Sequence, residues 1–247
     1  MTIRWHHFDT LDSTNTVALR GISSGKFTRG DVIWADEQTR GKGNGNNHWE
    51  SEPGKNLTFS LVLTPHFIQP QHQFRITQAI SVTLYQTLKA LLPKEKCSIK
   101  WPNDLYVNNK KMGGILIQNM IKGNSIQATV AGIGLNINQE IFRSDAPNPV
   151  SLIHFTKTDI PLFPLLKDIV AHIMQQMKQL EHNPEWATLN KKYLNALFQK
   201  DCWAQYADDK GVFEGKITEV DAYGRLQLLD RSNQLRTYAF KEIRFLF

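Results

Sequence analysis

The 247-residue chain predicts an α+β fold: a mixed β-sheet with packed helices, followed by a small C-terminal β-barrel of SH3-like type. Three observations carry this expectation. Apolar runs of strand period alternate with helical patterns through the first half. Two further amphipathic helical stripes follow. After Lys200 the texture changes to short strands separated by turn residues. The expected division is therefore residues 1–199 for the larger unit and residues 200–247 for the barrel.

In chain order, strands are expected over residues 3–8, 31–36, 56–63, 98–101, 111–120 and 125–136. Asp12 and Ser13 can cap a short helix over residues 15–20, with Gly21 placed to stop it. Leu57, Phe59, Leu61 and Leu63 alternate with Thr58, Ser60 and Val62, so at least one side of that strand belongs to the core. Ile76, Ile80, Leu84, Leu88 and Leu91 recur every three or four positions, giving a helix that Pro93 ends and that lies on one sheet face. Asn108 and Asn109 can take the positive φ of a tight turn, so residues 105–114 read as a hairpin. Leu165, Leu166, Ile169, Val170, Ile173, Met174 and Met177 mark a long helix. After Pro184 a third carries Trp186, Leu189, Tyr193 and Leu197. The segments CWAQYA, VFEGKITEVDA, RLQLLD, LRTYAF and IRFLF then supply the barrel, which packs directly on the larger unit because no flexible linker precedes it.

With 41% hydrophobic and 21% charged residues, the composition excludes disordered, collagenous and disulfide-scaffold classes. No stretch approaches the roughly 18 apolar residues of a membrane span, and MTIRWHHFDT lacks the apolar core of a secretion signal, so no membrane association and a cytoplasmic location are expected. Cys97 and Cys202 form no CxxC pair and are expected to be reduced, half-buried strand residues. A formal charge of +6 favours anionic partners. Nucleotides, acidic protein surfaces and nucleic acid all qualify.

Four segments have chemistry in them. In QTRGKGNGNNHWESEPGKN, residues 38–56, Gly41, Gly43 and Gly45 alternate with Arg40, Lys42 and polar residues, as in a loop that cradles an anion; a mobile polar hairpin fits as well. Neither a Walker A loop nor GxGxxG is present. In KWPNDLYVNNKKMGGIL, residues 100–116, Lys100 ends a strand beside rigid Trp101-Pro102, with Lys111 at the foot of the return strand and Gly113-Gly114 leaving room beside it. A cation fixed on rigid structure suits phosphoryl or acyl transfer; a core Trp-Pro contact beside a surface lysine is the plainer reading. In AGIGLNINQ, residues 131–139, Gly132 and Gly134 mark either a bulge or a ligand's close approach. In DSTNT, residues 12–16, a helix start also offers N–H donors to a polar ligand.

Taken in order, STN (13–15), the GKGxxxxxW loop (41–49), KWPND (100–104), KxGGIL (111–116), GIGLNIN (132–138) and FKEI (240–243) make the chain resemble the biotin protein ligases, acyl-adenylating enzymes that biotinylate carboxylases. The resemblance covers nearly the whole chain. It implies a biotinyl/lipoyl ligase-like catalytic domain that uses ATP, biotin and Mg2+ and acts on the biotin carboxyl carrier domain of a carboxylase. By the same resemblance, Ser13, Thr14, Asn15, Gln38, Gly41, Lys42, Gly43, Asn44, Lys100, Gly114 and Gly132 would bind biotin, with Lys100 catalytic. Lys42, Trp49, Asn103, Lys111, Leu135 and Asn136 would hold ATP or the adenylate, Trp49 by stacking on adenine. No metal ligand is identified. The chain departs from the family's usual pattern at Lys42, at Gly45-Asn46 where Arg-Gly is common, and at Gln118 where the strand often carries Glu.

The implied mechanism has the biotin carboxylate attack the α-phosphate of ATP, and the acceptor lysine then attack the mixed anhydride. A lysine of pKa about 10.4 is only about 0.04% neutral at pH 7, so the site must aid its deprotonation. Asp104 is a candidate base, with turn capping as its competing role.

A lipoate or octanoate ligase is the nearest enzyme alternative, but it lacks a KWPND motif of this kind. A basic nucleic-acid module would show a basic stripe with interleaved aromatics, whereas Glu214, Glu219, Asp221, Asp230 and Glu242 interrupt the cations here. Eight histidines are scattered, with His6-His7 adjacent, which does not suit a metalloenzyme. With a strand expected from Ile3 and STN at residue 13, an N-terminal DNA-binding domain and specific DNA recognition are not expected.

Overall fold

The protein is described from a computed structural model, which covers residues 2–43, 48–143 and 148–246. Strands β1 (Arg4–Leu11), β2 (Asp31–Gln38), β3 (Leu57–Leu63), β4 (Cys97–Lys100), β5 (Asp104–Val107), β6 (Lys110–Lys122) and β7 (Ser125–Leu135) form one seven-stranded sheet in the order β1-β2-β3-β7-β6-β5-β4. Only β1 and β2 run parallel, so the sheet is mixed as expected.

All seven residues of β3 are buried, which goes beyond the one apolar side that the alternation requires. The reason is that both faces are covered. Helix α1 (Thr14–Ser23) and Phe27 close one face over Ile33, Val62 and Val130. Helices α2 (Phe74–Leu91), α4 (Leu162–His182) and α5 (Trp186–Asn195) form the larger core with the other. A short helix α3 (Ile153–Thr156), not read from the sequence, precedes α4.

Several local expectations hold and two are corrected. Asn108 and Asn109 adopt φ of 48° and 66°, making the β5–β6 turn. Ser13 stands at the N-cap of α1 without a side-chain cap bond, while its own N–H donates to Asp12 Oδ1 at 2.8 Å. Gly21 does not stop α1, which continues to Ser23. Its role is space, because a Cβ there would lie 2.0 Å from the Phe27 ring. Cys97 is half-buried in β4, where desolvation pushes its thiol pKa up. Cys202, by contrast, is exposed in the turn before the last sheet.

That sheet comprises β8 (Ala204–Asp208), β9 (Gly211–Val220), β10 (Leu226–Asp230), β11 (Leu235–Tyr238) and β12 (Arg244–Leu246). It is antiparallel, in the order β11-β10-β9-β8-β12, and compatible with an SH3-like domain. It packs directly on the larger unit. Trp101 Nε1 donates to Gly224 O at 3.0 Å, and a Cβ on Gly224 would lie 2.5 Å from the Phe74 ring. Among the described residues no helix is long and apolar enough to cross a membrane.

Candidate functional site

A cavity of about 650 Å³ opens where the ends of β2, β4 and β7, the start of α1 and the last strand of the barrel meet. One end of it is built for neutral hydrogen bonding. Ser13, Thr14 and Asn15, each 3% exposed, sit at the start of α1. Gln38 Oε1 accepts from the Thr14 N–H at 2.8 Å and from its hydroxyl at 3.2 Å, which fixes the strand end to the helix start. Asn15 Nδ2 donates to Gln118 Oε1 at 2.8 Å and to Leu116 O at 3.3 Å. Beneath both, the fully buried Ser60 Oγ lies 2.8 Å from Thr14 Oγ1 and 2.6 Å from Asn15 Oδ1.

The floor requires glycine. A Cβ on Gly132 would stand 2.2 Å from Asn15 Oδ1, and one on Gly134 would stand 2.5 Å from the Trp49 ring. Trp49 therefore lies on Gly134 at the cavity wall. Its indole Nε1 is buried and has no acceptor among the described residues.

The other end is cationic. Lys42, Lys100, Lys111, Lys241 and Arg244 all line it, and Asp104 is the one carboxylate among the described lining residues. Lys100 ends β4 with its ammonium 5.5 Å from the Tyr106 ring centroid and 5.4 Å from that of Phe245. Desolvation lowers the Lys100 pKa, Asp104 opposes the shift and Lys111 adds to it. Burial also raises the Tyr106 hydroxyl pKa. Lys111 Nζ meets Asp104 Oδ2 at 2.8 Å. The KWPND turn is anchored from behind. Tyr193 Oη donates to Pro102 O at 2.7 Å, Asn103 Nδ2 donates to Ile115 O, and the Ile115 N–H donates to Asn103 O at 3.2 Å.

Of the residues expected at the site, Ser13, Thr14, Asn15, Gln38, Lys42, Gly43, Trp49, Lys100, Asn103, Lys111, Gly114 and Gly132 line this one cavity. Three do not. Gly41 is buried under Trp49, whose N–H donates to Gly41 O at 3.0 Å. Leu135 points to the opposite side of β7, onto Gly113, where a Cβ would lie 2.6 Å from its Cδ2. Asn136 lies beyond the end of β7, where its Nδ2 donates to Val150 O at 3.2 Å. Asn44, Gly45 and Asn46 fall outside the described residues. Sequence reasoning missed Ser60, which sits in an ordinary strand alternation. It also missed Arg244 and Phe245, which reach the cavity only through the docking of the barrel. His7, Asp9 and Asp36 bring ligand-type atoms within 4.8 Å of one another on β1 and β2, but none of them lines the cavity.

Fold and site together define an α+β domain built around a cleft with one neutral polar end and one cationic end. The chain belongs to the biotin/lipoate A/B protein ligase family, whose model matches residues 7–136. Among curated relatives, it is 31% identical to the bifunctional ligase/repressor BirA of Bacillus subtilis over 54% of this chain and 40% of that protein. It is 34% identical to the biotin–[acetyl-CoA-carboxylase] ligase of Paracoccus denitrificans over 51% of each. The matched stretch thus spans about half or less of these relatives. Among solved structures, the biotin protein ligase of Aquifex aeolicus in complex with biotin and ATP superposes with a TM-score of 0.80 at 20% identity, over 98% of this chain and 99% of that one, which shows the fold.

Proposed function

We propose that the chain is a biotin–[biotin carboxyl-carrier protein] ligase, which activates biotin as biotinyl-5′-AMP and transfers it to one lysine of a carrier domain. The observation that carries this reading is the polarity of the cavity: a ring of buried, mutually bonded neutral groups at one end and a set of cations at the other. A ligand that fits has a neutral head with both donors and acceptors and a tail that becomes a phosphate ester. Biotin's ureido head and adenylated carboxylate have that form. A lipoyl or octanoyl chain would make no hydrogen bonds to Ser13, Thr14, Asn15 and Gln38, so it would forgo the contacts that a ureido head makes there.

In this reading Ser13, Thr14, Asn15 and Gln38 orient the ureido head, with Gly132 giving it room. The biotin carboxylate attacks the α-phosphorus, and the bond from that phosphorus to the bridging oxygen breaks, with its electron pair leaving on pyrophosphate. Lys100, held between two rings at the strand end, offsets negative charge at the reacting carboxyl and phosphate; one such donor is worth about 10²–10³ in rate. Trp49 would take the adenine, while Lys42, Lys111 and Arg244 would face the phosphates. A single carboxylate among the described lining residues does not make a protein cage for magnesium, and it suits an ion that arrives on the ATP phosphates. We assign residues 1–199 to catalysis and residues 200–247 to a barrel that closes the phosphate end, and we place the reaction in the cytoplasm. Labelled biotin, ATP, magnesium and a purified carrier domain test the proposal. Label on the carrier lysine is expected; an unlabelled carrier contradicts it.

A further inference from the structure

Resting on the ligase reading and deepening it, we infer that Ser60 is a positioning residue that keeps the Thr14 hydroxyl proton turned away from the ligand. Thr14 then presents an acceptor alone at this point of the polar end and selects a ligand head that carries an N–H there. Thr14 and Asn15 line the cavity and Ser60 does not. Ser60 lies behind them in β3, fully buried, as the Cα partner of Gly132 in β7. Its hydroxyl oxygen meets both side chains from the first turn of α1.

Counting protons fixes the direction of each bond. A hydroxyl has one proton to give and two lone pairs with which to receive. Asn15 Nδ2 gives its two protons to Leu116 O and Gln118 Oε1, and because a backbone carbonyl can only accept, the amide must turn its oxygen toward Ser60. That oxygen sits against the Gly132 floor, and among the described residues Ser60 Oγ, at 2.6 Å, is the only group that donates to it. Leaving a buried acceptor without a donor is costly, so the Ser60 proton goes to Asn15. Ser60 then has only lone pairs to offer Thr14 Oγ1 at 2.8 Å, and the Thr14 hydroxyl donates to Ser60. Its other acceptor, Gln38 Oε1, is farther at 3.2 Å and already takes the Thr14 N–H. With either partner the Thr14 proton is spent on the protein, and lone pairs are left for the ligand. Ser60→Ala removes the nearer acceptor and frees that proton to turn outward, so the variant should lose discrimination more than affinity.

Two biotin analogues test this, each with one ureido N–H replaced by a ring oxygen to give a cyclic carbamate of nearly the same shape. Each swap turns a donor into an acceptor. Competition with labelled biotin gives the affinity of each analogue relative to biotin, which is the rejection ratio. The unaltered protein is expected to reject at least one analogue by about a hundredfold or more, since a site built to bond a ligand N–H discriminates strongly against its absence. Thr14→Val identifies the ring position that Thr14 faces, as the analogue whose rejection falls. Ser60→Ala is expected to lower the rejection of that same analogue by about tenfold or more and to leave the other within about twofold, and to add nothing in the Thr14→Val background. If Ser60→Ala does not fold, Ser60→Cys, close in size and weak as donor and acceptor, is read in its place with the same expectation. Both ligands weakened alike with the ratio unchanged, which is what a merely structural role gives, overturns the inference. So does a Ser60→Ala effect that persists without the Thr14 hydroxyl, or an unaltered protein that binds biotin and both carbamates equally. An unaltered protein that binds no biotin fails the ligase reading itself, and that outcome is distinct from the others.

Discussion

The Asn15 amide oxygen stands 2.2 Å from where a Cβ on Gly132 would be, so the helix start and the sheet floor are in contact through a position that tolerates no side chain. Two residues along the same strand, Gly134 has the same relation to the Trp49 ring at 2.5 Å. The two glycines therefore serve opposite ends of the cavity. Gly132→Ala is expected to weaken biotin binding at least tenfold with a smaller effect on ATP, and Gly134→Ala to do the reverse. Calorimetric titration of each ligand into each variant reads the split, and equal losses in both variants would contradict it.

Trp49→Ala should weaken ATP more than biotin. Stacking a base on an aromatic ring is worth about 1 to 3 kcal/mol in nucleic-acid complexes, which corresponds to a loss of about fivefold to 150-fold. Titration of a non-hydrolysable ATP analogue checks this, and an equal loss for biotin would point to a collapsed wall.

Gln118 accepts from Asn15 at 2.8 Å, and a glutamate there could accept the same bond. Gln118→Glu should leave the biotin affinity within about twofold. Gln118→Leu removes the acceptor, and losing a hydrogen bond of about 1 kcal/mol should cost about fivefold. An unchanged affinity for Gln118→Leu would show that Asn15 is held well enough by Leu116 and Ser60.

Asp31 controls acid stability. Its side chain is 1% exposed, and burial by itself would raise its pKa; bonds from Arg4, the Thr28 N–H and His6 outweigh that and hold it at about 2, below its usual 3.8. A depressed carboxylate stabilises the fold fully above its unfolded pKa and loses that contribution as pH falls through the folded value. The loss therefore lies between about pH 4 and pH 2 and amounts to about 2 kcal/mol. Asp31→Asn should unfold more readily at pH 7 and show a flatter decline over that window. Denaturant melts at successive pH values measure it, and parallel curves for the two proteins would contradict the assignment.

Much of this was legible locally. Asn108 and Asn109 signal a turn by residue type, and STN and KWPND pair side chains that act within a few positions of one another. The strand period also held information that the motif reading did not use. Gly132 and Gly134 share one face of β7, so Leu135 must point to the other. Asn136 escapes that rule because the strand ends before it and the chain turns. Ser60, Arg244 and Phe245 gave no local signal, since their contacts join segments far apart in the chain and exist only after the sheet and the barrel have assembled.

The most direct test of the account is exchange of labelled pyrophosphate into ATP, compared between the unaltered protein and Lys100→Ala. Exchange is expected only when biotin and magnesium are present, and at least about a hundredfold slower in a folded Lys100→Ala protein, because the lysine is the charge-offsetting group at the reacting carboxyl. Exchange that proceeds equally with lipoate or octanoate, exchange with no acid at all, or a near-normal rate in Lys100→Ala would contradict it.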